Sequence, residues 1–483
     1  MKISLMYWFT GLLTFFNFHC LLAQNMGVGT SIPSQKLHVN GKIKVADDAA
    51  IPSAGTMRWN STSKDFEGFN GAQWLSLTAG STSTLGTIND IGRLKDYTIA
   101  GNPIPVASDR MGSAVDISGD WAVVGCSAEG VAGAIHMFKR VGVDWVHQQK
   151  LIPAVITAGG SFGDAVAIDG NYVIAGAFAD QTNGNVLQGA AWIFFYNGTT
   201  WVEQQKLINT GGVALADERF GKSVDISGDI AVVGAPEADD LGNVDEGKAF
   251  AFKRSGTFWG QTGVFTGAGG SAGSNFGFSV AIDNGYFLVG APYSQVGGQT
   301  RGAAFMYFFN GTSWTTQTKL LAADGAATNE FGIAVAISGS IAIIGSRSRT
   351  TTFIEDGAAY VYERAGSIWR QQAKLVAPDA QDRANFGSSV AISGNYCIIG
   401  SPNHYRKDPC GNTVTSVEGQ VYVFKKISTI WENFLIMTLP RGKSGDFYGD
   451  GVTIDGLYVS ATAPGADVNG LADSGKVIFG KLE

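Results

Sequence analysis

Residues 165–207 carry apolar and polar positions in four short runs of strand type. Residues 165–168 and 172–177 flank Asp169-Gly170-Asn171, a polar stretch at 180–188 follows, and Asn197-Gly198 separates residues 190–196 from 201–207. Two tight-turn signals and one longer loop between β-branched and aromatic runs predict four antiparallel strands. Alternate side chains of a strand point to opposite faces. Phe162, Val166 and Ile168 therefore make one bulky face, and Gly163, Ala165 and Ala167 the other, slim one. Such a wedge packs at interior density against a copy of itself.

Copies are present. Openings stand at Met111-Gly112, Phe162-Gly163, Phe220-Gly221, Phe276-Gly277, Phe331-Gly332, Phe386-Gly387 and Tyr448-Gly449, with steps of 51, 58, 56, 55, 55 and 62 residues. A four-stranded unit recurring at that period predicts an all-β fold, a seven-bladed β-propeller of four-stranded antiparallel blades. Six copies carry an outer-strand Trp at 145, 201, 259, 314, 369 and 431, whereas the seventh stops after its third run, residues 476–481. Residues 88–99 are expected to pair with 476–481 and supply the missing strand, with Ile88 in the Trp position and Arg93-Leu94 where Lys-Leu stands elsewhere. That pairing would remove an open sheet edge.

The Phe-Gly openings, together with Gly234-Ala235-Pro236 and Gly290-Ala291-Pro292, resemble the FG-GAP repeat of the integrin α-subunit propeller and of many bacterial secreted proteins. Variants of the closing triplet stand at Gly176-Ala177-Phe178, Gly345-Ser346-Arg347 and Gly400-Ser401-Pro402. The resemblance implies that loops from strand two to three, and from strand four to the next blade, share a ligand-binding face. A repeat fold by itself names no function.

Composition narrows the setting. Glycine numbers 66 and charged residues only 16%, which suits tight turns between buried strands. A net charge of −7 without a basic stripe argues against a nucleic-acid partner. Lys2, the apolar residues 3–18 and Leu21-Leu22-Ala23 predict a signal peptide over residues 1–23, with Asn17 and His19 weighing against a membrane anchor, and no later run spans a bilayer. Secreted or cell-surface localisation follows. Cys126 and Cys397 lie in different blades and read as buried thiols, the alternative for Cys397 being a bond to Cys410.

Residues 24–80 form a separate small module resembling pieces near the start of bacterial surface and fibre-like proteins, where they serve as stalks or multimerising segments. A strand at 36–39 and a hairpin clustering Trp59, Phe66, Phe69 and Trp74 are expected. The module is too small for a large core, so oligomerisation through it or docking on the propeller is anticipated. Residues 81–87 read as a linker, and 88–483 as the propeller.

Candidate ligand-binding residues are the charged and imidazole side chains of the variable loops: Asp239, Asp240, Arg301, Arg347, His404 and Arg406. No cofactor is expected apart from Ca²⁺. The integrin calcium loops do not carry over, because the corresponding turns between strands one and two are too short to wrap an ion. Oxygen ligands concentrate instead at Asp239, Asn243 and Asp245, and at Asp467, Asn469 and Asp473, with a poorer set at Asp180, Asn183 and Asn185. The same residues are ordinary turn formers. His136 and His147 are expected to pack or meet solvent, and no Cys/His spacing fits zinc. Asn197-Gly-Thr199 and Asn310-Gly-Thr312 match a glycosylation sequon, but the hairpin turn accounts for both. Asp116 and Asp225 replace Ala on innermost strands and are expected to line the channel or bond neighbouring backbone.

The expectation is an exported binding or adhesion scaffold for an extracellular protein or glycan, without enzyme activity. The alternatives are a hydrolase or lyase acting on extracellular polysaccharide, favoured by charged and aromatic loop side chains converging near the axis, and a structural part of a surface assembly.

Overall fold

The computed structural model describes residues 57–60, 65–69, 74–76, 94–101, 106–210, 216–239, 243–407, 413–439, 442–468 and 470–482. Two compact units are present, residues 1–85 with 407–413, and residues 86–406 with 414–483. The first holds a three-stranded antiparallel sheet, Met57–Asn60, Asp65–Phe69 and Trp74–Ser76, whose register sets Trp59 opposite Phe66 and Phe69 opposite Trp74. The expected leader and the strand at 36–39 lie outside the described residues. No helix among the described residues is long and apolar enough to cross a membrane.

The second unit is a seven-bladed propeller of four-stranded antiparallel sheets. Blade two shows how sequence becomes sheet. Ala165–Asp169, Tyr172–Ala177, Ala190–Tyr196 and Trp201–Leu207 pair in chain order, with the turn signals at Gly170 and Gly198 where the chain reverses. In every blade the ladder between strands three and four shifts register once, for example between Ile193 and Phe194 and between Ala251 and Phe252. One added residue at this point sharpens the twist of each outer strand.

The core is divided among the blade interfaces. Phe220, Val224 and Ile226 of blade three pack with Ala167, Ile174 and Ile193 of blade two, bulky face on slim face. The same arrangement recurs at each junction, ending with Met111, Val115 and Ile117 of blade one against Val477 and Phe479 of blade seven. A fully buried phenylalanine such as Phe220 contributes about 1.5–3 kcal/mol through removal from water.

Polar bonds reinforce these apolar seams. The Phe220 N–H donates to the Gln188 carbonyl of the preceding blade at 2.9 Å, and Phe162, Phe276, Phe331, Phe386 and Tyr448 donate to corresponding carbonyls. Gln205 accepts from the Trp259 backbone N–H and donates to the Trp259 carbonyl, both at 2.8 Å, so adjacent outer strands are clasped as well.

In blade seven the fourth position is taken by Leu94–Gly101, antiparallel to Lys476–Leu482, with Gly101 opposite Lys476 and Leu94 opposite Leu482. The expected register differs by six residues. Leu94, not Ile88, stands where the other blades carry Trp, because Leu482 matches Arg140, the partner of Trp145. Residues 88–93 lie outside the described residues.

Candidate functional site

Each blade returns its chain to one face at three repeat positions. The residue before the motif aromatic adopts a left-handed backbone in all seven copies, with φ between 50° and 57°. A non-glycine residue held there costs of order 1 kcal/mol or more. The residue after the motif glycine and the residue two after the Gly of Gly-Ala-Pro complete the set.

On five adjoining blades these positions enclose a cavity of about 700 Å³. Arg110, Asn385 and Phe447 come from the first position, Ser113, Asp164, Ser388 and Asp450 from the second, and Ser127, Arg347, Pro402 and Pro464 from the third. Blades three and four contribute none. Their second positions hold Lys222 and Phe278, and their third hold Pro236 and Pro292.

The wall is braced by its own bonds. Lys222 Nζ meets Asp164 at 2.7 Å, and Arg347 Nε meets Glu330 at 2.6 Å. Asn403 donates to the Asn385 side chain at 2.7 Å, and the Asn385 amide donates to the Arg347 carbonyl at 3.2 Å. The Ser113 and Ser127 hydroxyls stand 2.7 Å apart. Asp450 has its pKa pushed above the ordinary carboxyl range by the enclosing protein and by the Asp164 carboxylate, against the pull of Lys222, Arg110 and Arg347. Phe447 is 42% exposed, an aromatic face in a rim of polar side chains with Pro402 and Pro464. The arrangement supplies hydrogen-bond donors, acceptors and one stacking surface within a concave space.

The opposite half of the axis is a channel of about 500 Å³ lined by all seven innermost strands. Asp116 lines it and accepts from the Ile117 and Ile168 backbones at 2.9 Å and from the Thr453 hydroxyl at 2.7 Å. Asp225 accepts from Ile226 and Ile282 at 2.8 and 2.6 Å. Both therefore line the channel and bind neighbouring backbone. Burial raises the Asp116 pKa to about 6, and burial with the Asp116 charge raises that of Asp225.

Of the expected ligand residues, Arg347 reaches the cavity. Asp239 is exposed on its loop, and Arg301 is folded onto Gln299 at 2.7 Å. His404 is buried, 3.4 Å from Asp379, in a polar latch with Gln420 and Tyr422. Asp240 and the Arg406 side chain lie outside the described residues. Of the expected metal ligands, Asp473 lines the cavity. Asp239 accepts the Asp245 N–H at 3.0 Å and Asp467 accepts the Asp473 N–H at 3.3 Å, while Asn243 donates to Glu246 at 2.8 Å. These bonds close turns. Asp180 is occupied by Lys206, Thr157 and Thr182. Asn469 lies outside the described residues. Cys126 and Cys397 are free and buried, and Cys410 lies outside the described residues.

A family model of the FG-GAP repeat matches residues 145–194, 201–252, 259–307, 314–362 and 369–424. These spans cover just over half of the chain, and the chain belongs to the FG-GAP repeat family. Every span starts on an outer-strand Trp and ends in the third strand of the following blade, so the family's sequence unit straddles two blades. No curated protein matches the chain.

Proposed function

We propose that this protein is an exported binding scaffold whose loop-bearing face takes a hydroxyl-rich glycan in the cavity between Arg110, Asp164, Arg347, Asn403, Phe447 and Asp450. The cavity carries this reading. Its volume of about 700 Å³ lies within the roughly 300–1,000 Å³ of sites for small ligands, whereas a protein partner is ordinarily met by a broader, flatter surface. Carboxylate, amide and guanidinium groups suit the vicinal hydroxyls of a sugar, and Phe447 offers a face for its C–H edge. An extracellular setting is supported by the apolar run at residues 3–18 behind Lys2.

A polysaccharide-cleaving enzyme is the second reading. Charged side chains converge near the axis, and Asp450 holds its proton more tightly than an ordinary carboxyl beside a second carboxylate, the asymmetry that general-acid chemistry requires. Against it, Asp164 is engaged by Lys222.

Screening the full chain on immobilised glycans and matrix proteins, with and without EDTA, tests the first reading. Saturable glycan binding that weakens in Arg347→Ala and Asn403→Ala is expected; binding indifferent to both changes would refute it. Release of reducing ends from a bound polysaccharide, abolished by Asp450→Asn, would establish the second reading.

A further inference from the structure

Blade one departs from the others at one buried spot. Its second strand ends on Cys126, where the other copies place Ala177, Ala235, Ala291, Ser346, Ser401 and Ala463. Its third strand carries His136 opposite Val124, at the position that blades two to six fill with Trp192, Phe250, Phe305, Tyr360 and Tyr422. Both exchanges bring in metal-ligating side chains, and they face the same carboxylate. Glu129 lies 2.7 Å from His136 Nε2, and its other oxygen accepts from Lys150 at 2.5 Å. The Cys126 thiol, a Glu129 oxygen and a His136 ring nitrogen all lie within 4.8 Å of one another, and all three residues are buried. His136 Nδ1 stands 3.0 Å from His147 Nε2.

The carboxylate and the lysine have a structural counterpart. In blade two Asp180 accepts from Lys206 at 2.7 Å, with Lys206 lying over Trp192. A latch of that kind requires neither a thiol nor an imidazole. Wherever it lacks them, an aromatic or a small residue fills the space.

We propose that Cys126, Glu129 and His136 bind a zinc ion. Thiolate, imidazole and carboxylate together match the mixed ligand preference of Zn²⁺, and three protein ligands leave a fourth tetrahedral position for water. Lys150 stays on the second Glu129 oxygen and offsets charge. His147 receives the Nδ1–H of His136 and so turns Nε2 toward the ion, as partners behind metal-bound histidines do. On binding, the S–H bond of Cys126 breaks as the Zn–S bond forms, and its proton leaves to solvent. His136, whose Nε2–H faces Glu129 in the metal-free site, changes to the Nδ1–H tautomer, and His147 moves its proton from Nε2 to Nδ1, so each ring keeps one proton. One proton is released per ion.

Titration of the reduced, chelator-treated full chain with Co²⁺ tests this directly. One equivalent should produce a near-ultraviolet sulfur-to-cobalt charge-transfer band that Zn²⁺ abolishes by displacement. Cys126→Ala installs the residue of four other blades, so it should fold with unchanged circular dichroism and lose the band. His147→Gln, the residue at this position in blades three and five, should keep the band with affinity roughly 10–100-fold lower. Absence of the band in the parent chain, or its survival in Cys126→Ala, would overturn the site.

Discussion

A Cβ placed on Gly176 would stand 1.9 Å from the carbonyl oxygen of Gly221 in the next blade. The two halves of the repeat signature are thus one contact, the glycine of Gly-Ala-Pro in one blade against the glycine of Phe-Gly in its neighbour. Gly234 with Gly277 and Gly400 with Gly449 repeat it at 1.9 Å. Blade seven alone breaks the pattern, setting Thr462 against Gly112 and using the threonine hydroxyl to accept the Gly451 N–H at 2.9 Å.

Gly176→Ala should therefore cost on the order of 3–5 kcal/mol, because a rigid carbonyl cannot yield as a flexible side chain would. Gly170→Ala, at a turn with nothing within 4 Å, should cost only about 1–2 kcal/mol for its left-handed backbone. Denaturant unfolding of both variants checks the contrast, and equal losses would show that blade spacing is softer than the contact implies.

Much of the fold was legible because the chain copies itself. The division of Phe162, Val166 and Ile168 from Ala165 and Ala167 appears in the structure as the two sides of adjoining interfaces. The variable loops made the cavity legible only in part: Ser127, Ser348, Asn403, Gly465 and Asp473 at their ends line it, whereas Asp239 and Arg301 do not. It is built on short positions beside the motif, and its signal lies in how copies differ at one place: Ser113, Asp164, Lys222, Phe278, Ile333, Ser388 and Asp450 all follow the motif glycine. Among the candidate site residues singled out in the sequence, Arg347, a visible departure from Gly-Ala-Pro, and Asp473 line it. The register of the closing strand carried a signal too. Eleven residues separate Leu151 from Phe162 and Leu375 from Phe386, and eleven also separate Ala100 from Met111. The proximity of His136 to Cys126 was not legible, because strand pairing, not sequence spacing, brings them together.

If Leu94–Gly101 closes the ring, deleting residues 81–101 should lower the melting temperature by several degrees and promote self-association through the bared edge of Lys476–Leu482. Scanning calorimetry with light scattering reads both effects. An unchanged transition would mean that the apolar seam between blades one and seven holds without that strand.

The channel carboxylates make stability depend on pH in an unusual direction. Asp116 has a folded pKa of about 6 against 3.8 in the free side chain, so the folded chain binds the proton more tightly than the unfolded one. Stability should be greatest below about pH 3.8 as far as this group is concerned, and should fall as pH rises through 6. The loss is at most about 3 kcal/mol, a ceiling because the channel admits water. Asp116→Ala with Asp225→Ala, the residue that Ala167 and Ala281 already provide, should flatten the decline between pH 4 and 6 in denaturant titrations. A slope unchanged by both substitutions would place the titration elsewhere.

Phe447 gives the glycan reading its sharpest test. Its left-handed backbone and 42% exposure hold an apolar ring in a rim of Arg110, Asn403 and Asp450, where water gains little by covering it. A sugar ring laid on Phe447 would bury that face while its hydroxyls met the polar groups around it. Truncating such an anchor ordinarily costs more than 1 kcal/mol of binding, so Phe447→Ala should weaken glycan affinity about tenfold. Arg301→Ala, whose guanidinium rests on Gln299 away from the cavity, should leave affinity unchanged. Calorimetric titration of both variants decides the matter: a loss in Arg301→Ala with none in Phe447→Ala would move the binding face to the outer loops.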